Sequence, residues 1–572
     1  MSPTSRPARV LPLLGLAFFA LASAGAKCGQ QPPQLGVELV ENGGFETGDL
    51  SGWTVTGSCE VHDAGSPWAS PPVGSYFLYG GDDFDASTCT ASQEILLPNQ
   101  GFRANYLAAT PLVVDASAYL RDFSGPLDYD DQAFLKLRYL DAQGVELSSI
   151  RTLIGDDASW SQEFAAGLLP VDTWKIRVEV ESRFRAGADN DAMADEISAV
   201  IDTVTPQLPA QTKPPILQDF RQDAMTVIWE TNGNLERPAI EWGPAGSALP
   251  NEVTQVETTE VTPSHYVHKA VITGLTAETD YDYRVRMGSQ TYATYGFRTA
   301  PLATSPFRMT WTSDNQNGPT TFGSIVGLMA ARDPDLYFNP GDIVQNGDVL
   351  SEWGSYWWTP LSTADFGQTT PTLFARGNHD GEHAFSYAYS ALPENESFYS
   401  FRYGNTFIVV LDTEASVGST SPEQDQEAYL VAALSSPEAQ AAEFRIVTFH
   451  KPPYTNLWDA TNFFFCLFGG SGYTGEGSLR TAWVPLFELY DVDLVVSGHT
   501  HSYQHAQQNG VHYVLVGGAG GALDTFCGGD FPFFDFTVDS HGYSVMDVNG
   551  TSLTWTAYDE NDNPLHGFAI AH

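Results

Sequence analysis

Positively charged residues are scarce in this chain. Its 572 residues include 26 Lys and Arg against 70 Asp and Glu, which gives a formal net charge of −44 at pH 7. A surface of that sign repels nucleic acids and anionic membranes, so the composition argues against binding to either. Charge alone indicates no activity, because solubility in salty surroundings favours the same composition.

Long apolar runs are also missing from most of the chain. After residue 26, no segment has the roughly 18 consecutive apolar residues of a membrane-spanning helix. The one marked run, VLPLLGLAFFALA, follows Arg6 and Arg9 and precedes small residues suited to cleavage between positions 22 and 26. This pattern predicts a signal peptide over residues 1–26 and a mature protein that is secreted, periplasmic or at the cell surface.

Cysteine is rare, with five in the chain. In an exported protein, four of them predict the bridges Cys59–Cys89 and Cys466–Cys527, although four cysteines allow three pairings. Each bridge would stabilise the fold by about 3–4 kcal/mol through loop closure. The fifth, Cys28, raises the alternative of a lipid anchor, but Lys27 stands where a small residue is expected and disfavours it.

The length suggests three or four domains, and the composition, with 42% apolar and 13% aromatic residues, is that of a globular chain. Residues 36–203 predict an all-β module, because short alternating runs such as WKIRVEVESRF are broken by Gly, Asp and Pro. Residues 212–300 predict a second β-sandwich of five short strands, with the linker-like stretches TKPP before it and TAPLATSP after it.

From residue 306 to 572 the pattern changes. Short apolar strands alternate with helix-like stretches such as GSIVGLMAARD and EQDQEAYLVAALSS, which predicts an α/β domain. Ligands of such sheets bind in loops that follow the carboxyl ends of strands. The expected fold is therefore multidomain, with two β-sandwiches followed by an α/β domain.

Five strands of this last domain end in polar residues that can bind metals. They end in Asp314-Asn315-Gln316, Asp342, Asn378-His379-Asp380, His450 and His499-Thr500-His501. Taken singly, each has an ordinary structural explanation, such as a turn after a strand. Taken together in one domain, they predict a metal site. Residues two apart on an extended segment face the same side about 6.6 Å apart, so two histidines can bracket a pair of metals roughly 3.5–4 Å apart.

The order of these motifs resembles that of the calcineurin-like metallophosphoesterases. The preceding module, with VIWET, IEWG, HKAVITGL, YDYRV and FRTAP, is similar to the fibronectin type III-like N-terminal domain of purple acid phosphatases. The resemblance covers residues 212–572. It implies two metal sites bridged by Asp342, one completed by Asp314 and His501, the other by Asn378, His450 and His499. Oxygen and imidazole ligands suit iron, manganese or zinc.

The resemblance also implies a reaction. A metal-activated hydroxide would attack the phosphorus of a small phosphoester. His379 is expected to protonate the leaving alkoxide or clamp the phosphate, with Asp380 orienting it and His383 able to share the role. The expected enzyme is a secreted phosphomonoesterase of the acid phosphatase type. The alternatives are a phosphodiesterase or nucleotidase on the same site, and a surface-binding protein with an inactive phosphatase domain.

Two positions depart from the purple acid phosphatase pattern. That family has Gly two residues after the first Asp and Tyr three residues after the second, whereas this chain has Gln316 and Gln345. Gln316 is expected to bind metal through its amide oxygen, or else to form hydrogen bonds behind the ligands. Loss of the tyrosine phenolate argues against an obligate ferric ion and a purple colour.

The first module carries a second resemblance. ENGGFETGDLSGW near its start and DNDAMADEI near its end are similar to carbohydrate-binding-module-like, galactose-binding-like jelly rolls. In those modules a structural calcium often lies between these regions. Glu46 and Asp195 are the matching acids, and oxygen ligands suit calcium. The alternative is that both acids merely cap turns. The resemblance also raises glycan as a partner of residues 36–203.

Overall fold

The computed structural model describes residues 32–66, 69–81, 88–122, 131–155, 159–184, 190–205, 207–381, 383–414, 422–456, 473–524 and 531–572. The expected signal peptide, Cys28 and the Cys466–Cys527 pair lie outside the described residues. The bridge Cys59–Cys89 is present, as predicted. None of the helices in the described ranges is long and apolar enough to cross a bilayer.

The described residues of the first module form ten strands in two antiparallel sheets. The strands are β1 (Thr54–Thr56), β2 (Glu60–Asp63), β3 (Tyr76–Gly81), β4 (Cys89–Leu96), β5 (Leu112–Arg121), β6 (Gln132–Leu140), β7 (Glu146–Arg151), β8 (Ser161–Leu168), β9 (Lys175–Arg183) and β10 (Asn190–Thr203). One sheet has the order β2-β3-β10-β5-β8, and the other contains β1-β4-β9-β6-β7. Alternate residues of both sheets enclose one apolar core, which confirms that the segment is all-β. Its jelly-roll class stays a prediction.

The second module contributes eight strands. They are β11 (Gln211–Gln218), β12 (Ala224–Thr231), β13 (Pro238–Pro244), β14 (Asn251–Val253), β15 (Glu257–Thr262), β16 (His265–Thr273), β17 (Asp280–Met287) and β18 (Gln290–Arg298). TKPP was expected to be linker, but it lies within β11. This strand is at the edge of its sheet. Proline is tolerated there, because the side of an edge strand that faces away from the sheet has no strand to which an N–H could donate.

The first two modules share a sheet, although the sequence suggests separate units. β7 pairs in parallel with β15, so that nine strands form one sheet with the order β1-β4-β9-β6-β7-β15-β16-β12-β11. Lys136 and Arg151 of the first module both contact the carboxylate of Glu257 on β15. The pairing was not visible in sequence because edge-to-edge contact of strands leaves no periodic signature of its own.

The third domain consists of two facing sheets. Its strands are β19 (Phe307–Trp311), β20 (Leu336–Asn339), β21 (Thr372–Phe374), β22 (Tyr399–Tyr403), β23 (Thr406–Val410), β24 (Phe444–Thr448), β25 (Leu494–Ser497), β26 (Tyr503–Gln508), β27 (Val511–Val516), β28 (Phe534–Val538), β29 (Gly542–Asn549), β30 (Ser552–Asp559) and β31 (Pro564–Ala571). The first sheet has the order β21-β20-β19-β29-β30-β31, and the second β22-β23-β24-β25-β27-β26-β28. A single apolar core continues from the second module into this domain.

The helices lie mainly in the third domain. The α-helices are Ala104–Leu107, Pro319–Ala330, Leu350–Glu352, Thr359–Leu361, Phe366–Thr369, Ala384–Ala388, Pro422–Ser435, Pro437–Gln440, Gly477–Ala482 and Val484–Leu489. Short 3₁₀ segments span Leu97–Gln100 and Thr363–Asp365, and a π-helical turn spans Trp353–Trp358. The two stretches expected to be helical from sequence, GSIVGLMAARD and EQDQEAYLVAALSS, lie largely within the helices Pro319–Ala330 and Pro422–Ser435.

Candidate metal centre

The predicted ligands follow the carboxyl ends of five strands, three in one sheet and two in the other. β19, β20 and β21 are mutually parallel and lead to Asp314, Asp342 and Asn378. β24 and β25 are parallel neighbours and lead to His450 and to the pair His499 and His501. Parallel strands end at the same edge of a sheet, so both sheets deliver their polar loops to one place.

Two groups of ligand atoms form where these loops meet. One ligand atom each of Asp314, Asp342 and His501 lies within 4.8 Å of the other two, and the same holds for Asp342, His450 and His499. Asp342 belongs to both groups. Asn378 joins the second group, because its Oδ1 lies 3.2 Å from His450 Nε2. The structure thus brings together the residues of the two overlapping sets that the resemblance implies, and their ligand roles stay a prediction.

Two histidines are oriented by backbone carbonyls. His450 Nδ1 lies 3.0 Å from the Pro340 oxygen, and His501 Nδ1 lies 2.6 Å from the Ala522 oxygen. A carbonyl only accepts, so each Nδ1 carries a proton, and each Nε2 is the atom that can take up a second proton or a metal ion. The Nε2 atoms face the acids: His450 Nε2 is 3.3 Å from Asp342 Oδ2, and His501 Nε2 is 3.5 Å from Asp314 Oδ1. Such outer partners typically orient metal-binding histidines.

The ligand loops are tight enough to strain the backbone. Asp314, Asp342 and His499 have φ of 63°, 55° and 68°, a region that non-glycine residues seldom occupy. The neighbouring glycines permit close approach, since a Cβ on Gly377 would lie 2.2 Å from Asp342 Oδ1 and one on Gly498 2.6 Å from Asp314 Oδ2. The glycines of the GD, GN and GH motifs therefore let the loops converge.

Asp380 holds the loop that carries Asp342. Its buried carboxylate accepts hydrogen bonds from the backbone N–H groups of Asp342 at 2.8 Å, Ile343 at 2.8 Å, Val344 at 3.1 Å and Gly377 at 2.9 Å. From sequence, Asp380 was expected to orient His379. The structure directs its carboxylate to the ligand loop instead, because the left-handed turn at Asp342 leaves several amides that need acceptors.

Charges in the centre favour cations. Burial raises the pKa of Asp342, but the adjacent His450 outweighs it and lowers that pKa to about 2. Burial lowers the pKa of His450, yet Asp342 outweighs it and raises that pKa to about 10. For His501, the effect of Asp314 exceeds that of burial and raises the pKa to about 9. The carboxylates thus hold positive charge on the imidazoles, which is the charge that bound metals would supply.

Gln316 lies against the first ligand group. Its Nε2 is 3.1 Å from Asp342 Oδ2 and 3.2 Å from His501 Nε2. Its buried Oε1 has no hydrogen-bond partner among the described residues. A half-turn of the amide would exchange the two atoms and point the oxygen at the same ligand group. The donor set and this unpartnered oxygen fit a metal, and the ligand role of Gln316 stays a prediction.

His379 lies at the mouth of the centre. Its side chain is 35% exposed, and its Nε2 lies 4.0 Å from Asp342 Oδ2. Its Nδ1 is 2.9 Å from the Gln345 backbone oxygen and 3.0 Å from Gln345 Nε2. From the sequence, Gln345 was noted only because the family has a tyrosine at this position. The structure shows in addition that Gln345 contacts and positions His379. His383 Nδ1 is 2.9 Å from Asp348 Oδ1, which ties it to the loop after Asp342.

One aromatic neighbour of the centre was not anticipated. The ring of Tyr473 lies edge-on to the ring of His499, with 5.2 Å between centroids. His499 is packed in turn against His450, at 5.1 Å. Tyr473 follows no strand and belongs to no motif, so only the folded chain places it here.

The acids of the first module lie close to each other. Glu46 Oε1 accepts from the backbone N–H groups of Ser75 at 2.7 Å and Tyr76 at 3.1 Å, and Asp195 Oδ1 accepts from Glu196 N at 2.8 Å. Burial, then the charges of Glu196 and Glu46, raise the pKa of Asp195 to about 7. Asp195 Oδ2 is buried and has no partner within the described ranges. Both acids cap backbone amides, and a calcium ion there stays a prediction.

Family models match the second and third segments. Residues 307–503 match the calcineurin-like phosphoesterase model, and residues 216–299 match the purple acid phosphatase N-terminal domain. The chain carries a calcineurin-like phosphoesterase domain. Neither match extends to residues before 216. Combined with the ligand geometry, this assignment supports a metal-dependent phosphatase and implies a binuclear metal centre.

Named relatives agree with the family match. Purple acid phosphatase 22 of Arabidopsis thaliana is 25% identical over 378 residues, which cover 60% of this chain and 80% of that protein. An uncharacterized protein of Mycobacterium tuberculosis is 24% identical over 329 residues, which cover 49% of this chain but only 59% of that protein. The purple acid phosphatase PPD1 from yellow lupin seeds superposes with a TM-score of 0.53 at 18% identity, over 70% of this chain and 82% of that one. This last likeness supports the fold.

Proposed function

We propose that the protein is an exported phosphomonoesterase of the acid phosphatase type that acts through two metal ions. The observation that carries this proposal is that Asp342 belongs to both ligand groups, each of which contains a histidine with a ligand atom within 4.8 Å. A carboxylate shared in this way can bridge two ions. Asp314, Gln316 and His501 would hold one ion with it, and Asn378, His450 and His499 the other.

Bound metals of this kind lower the pKa of water toward 7 and neutralise charge on phosphoryl oxygens. The chain's own contribution is to arrange imidazole nitrogens and carboxylate oxygens in a strained, buried site. His450 and Asp342 are almost fully buried. This position limits bulk water and strengthens local electrostatic interactions, and nearby charges outweigh the distant acidic surface, which salt screens within about 8–10 Å.

His379 is the group we assign to the leaving alkoxide. Hydrogen bonding of its Nδ1 to the Gln345 carbonyl leaves Nε2 directed at the centre, within reach of a substrate bound beside Asp342. An imidazole that is partly exposed and held through one nitrogen can deliver a proton from the other. His383, whose Nδ1 lies 2.9 Å from Asp348 Oδ1, would share this role.

The metals are expected to be divalent or mixed, drawn from iron, manganese and zinc. Gln345 occupies the place of the family's tyrosine, and its side chain contacts His379 and Asn317. An amide gives no phenolate charge-transfer band, so an iron-loaded sample should be colourless in the visible range where purple acid phosphatases absorb.

The decisive experiment combines elemental analysis of the purified full-length protein with a panel of phosphate monoesters, diesters and nucleotides. Two metals per chain and fastest turnover of monoesters support the proposal. A strong preference for a bis-ester would make the enzyme a phosphodiesterase, and a preference for nucleotides a nucleotidase. Fully metal-loaded protein without turnover on any substrate would indicate a binding protein with an inactive phosphatase domain.

The first module is proposed to be an accessory that helps to localise the enzyme, with a calcium ion at Glu46 and Asp195 and glycan as the expected ligand. Its sheet continues into the phosphatase part through β7 and β15, so its role should be tested in the full-length protein. Binding on a glycan array would support localisation. A clean absence of binding would leave a structural role for the module.

A further inference from the structure

A third group of metal-binding side chains lies outside the catalytic centre. One ligand atom each of His505, Asp535 and His566 lies within 4.8 Å of the other two. His505 is on β26 and Asp535 on β28, two paired strands of the seven-stranded sheet. His566 is on β31, the last strand of the six-stranded sheet. The group therefore lies where the edges of the two sheets face each other, and it shares no residue with the centre.

A chain of hydrogen bonds sets the tautomer of His505. Gln507 Nε2 lies 3.1 Å from His512 Nε2, so that nitrogen accepts and His512 Nδ1 carries the proton. His512 Nδ1 lies 3.0 Å from His505 Nε2, which must therefore accept as well. The proton of His505 is then on Nδ1, 2.6 Å from Asp535 Oδ1. A metal ion could replace the proton on His505 Nδ1 without breaking the other hydrogen bonds of this series.

His566 is held through its other nitrogen. Its Nδ1 lies 3.1 Å from the hydroxyl of Tyr503, and its ring packs between those of His505 and Phe536, each with 4.8 Å between centroids. His505 is likewise anchored through Nε2 by His512. Each histidine thus offers one nitrogen while a protein group fixes the other, which is the usual arrangement around metal-binding imidazoles.

Local polarity also suits a cation. Burial lowers the pKa of His505 and of His566, which favours the neutral imidazole over the protonated form. Asp535 supplies a carboxylate whose side chain is 60% exposed, which leaves it free to turn and gives an ion a path from solvent. Two imidazoles and one carboxylate are a common ligand set for zinc, with water in the fourth position.

We propose that His505, Asp535 and His566 bind a third divalent transition metal ion of the zinc class, which joins the two sheets of the phosphatase domain at the edge formed by β28 and β31. The ion adds a cross-sheet link between strands that already meet through the Tyr503–His566 hydrogen bond and through stacked rings, such as His505 on Phe568 at 4.4 Å between centroids. Binding to the folded state alone raises its stability in proportion to the logarithm of free metal.

The test compares metal content between Asp535→Asn and the wild type in the full-length protein. Both are stripped with a chelator, reloaded with excess Zn²⁺, desalted and analysed for zinc. The variant should retain one equivalent less than the wild type, should show a smaller zinc-induced rise in melting temperature, and should keep phosphoester turnover within about twofold. The difference between the two proteins is informative whatever the catalytic centre binds, so it does not depend on the proposed function.

Asp539→Asn is the matched control, because Asp539 is an exposed acid four residues further along the same segment. It should retain the wild-type zinc content. His566→Gln provides a second variant and should also lose one equivalent, while His572→Gln should lose none. Equal zinc content in the wild type and Asp535→Asn would overturn the proposal, as would a loss of the same size in Asp539→Asn.

Discussion

The metal centre and the β modules both contain buried histidines and acids, but the partners of these side chains differ. In the centre, His450 directs Nε2 at the carboxylate of Asp342, so a proton or a metal ion can bind between the two side chains. On β16, His268 is equally buried, yet its two ring nitrogens lie 2.7 Å from the Thr231 hydroxyl and 2.9 Å from the Thr258 hydroxyl. All hydrogen-bonding capacity of His268 is satisfied by neutral partners, and none remains for a ligand.

The two environments shift the pKa of a buried histidine in opposite directions. Asp342 overcomes the effect of burial and raises the pKa of His450 to about 10, whereas burial alone lowers the pKa of His268 to about 3. Burial by itself therefore does not indicate a functional histidine. What distinguishes the centre is that carboxylates and imidazoles direct their ligand atoms at one another, and neighbouring opposite charges favour the charged form of each group.

The largest effect is expected from removing the carboxylate that both ligand groups share. Asp342→Asn should reduce kcat/KM for a phosphate monoester by more than about 100-fold, since loss of a partner outside the ligands already costs about 10–100-fold. Metal content should fall as well, and both are measured on the purified variant. Glu46→Gln in the first module should change turnover by less than about twofold. Near-normal turnover in Asp342→Asn would contradict a bridged centre.

A smaller effect is expected from the residue that supports the ligand loop. Asp380→Asn replaces one acceptor oxygen with a donor, so part of the set of backbone amides around Asp342 loses its partner. The dissociation constant for metal should rise about 10–100-fold, and excess metal should restore turnover. Measured by competition with a chelator, an unchanged affinity would show that the loop keeps its shape without Asp380.

The contrast between buried histidines also predicts a response to acid. The pKa of His268 is lower in the folded chain than its ordinary value near 6.5, so the unfolded chain binds the proton more readily. Its contribution to stability is complete above pH 6.5 and falls by about 1.4 kcal/mol for each pH unit as pH decreases toward 3. Thermal unfolding between pH 7 and pH 4.5 should show a shallower decline for His268→Gln than for the wild type. Parallel declines would contradict this.

The smallest effect concerns the acids of the first module. If calcium binds Asp195 through its unpartnered Oδ2, Ca²⁺ at ten times its dissociation constant should stabilise the fold by about 1.4 kcal/mol. Calorimetry of the wild type and Asp195→Asn, with and without Ca²⁺, measures this. If Ca²⁺ does not raise the melting temperature of the wild type, Glu46 and Asp195 only cap backbone amides. They would then resemble His268, which only forms hydrogen bonds with two threonines.

Much of the centre was predictable because its ligands are encoded locally. Asp314, Asp342 and His450 follow short apolar strands, and parallel strands bring such positions to one edge. Asp380 was assigned a different partner from sequence, because the turn at Asp342 creates amides that need an acceptor and that turn has no sequence signal beyond Gly-Asp. Gln345 beside His379 was missed for the same reason.

The amino-acid sequence by itself indicated which segments are rich in strands and which is α/β, the candidate ligand residues and the chemistry of phosphoester hydrolysis, because residue type and strand periodicity are local properties. Only the tertiary structure decided that β7 and β15 join two modules in one sheet, and that His505 meets His566 across two sheets. These contacts link strands far apart in the chain. Their partners are selected by shape and packing of whole sheets, which no short stretch of residues specifies.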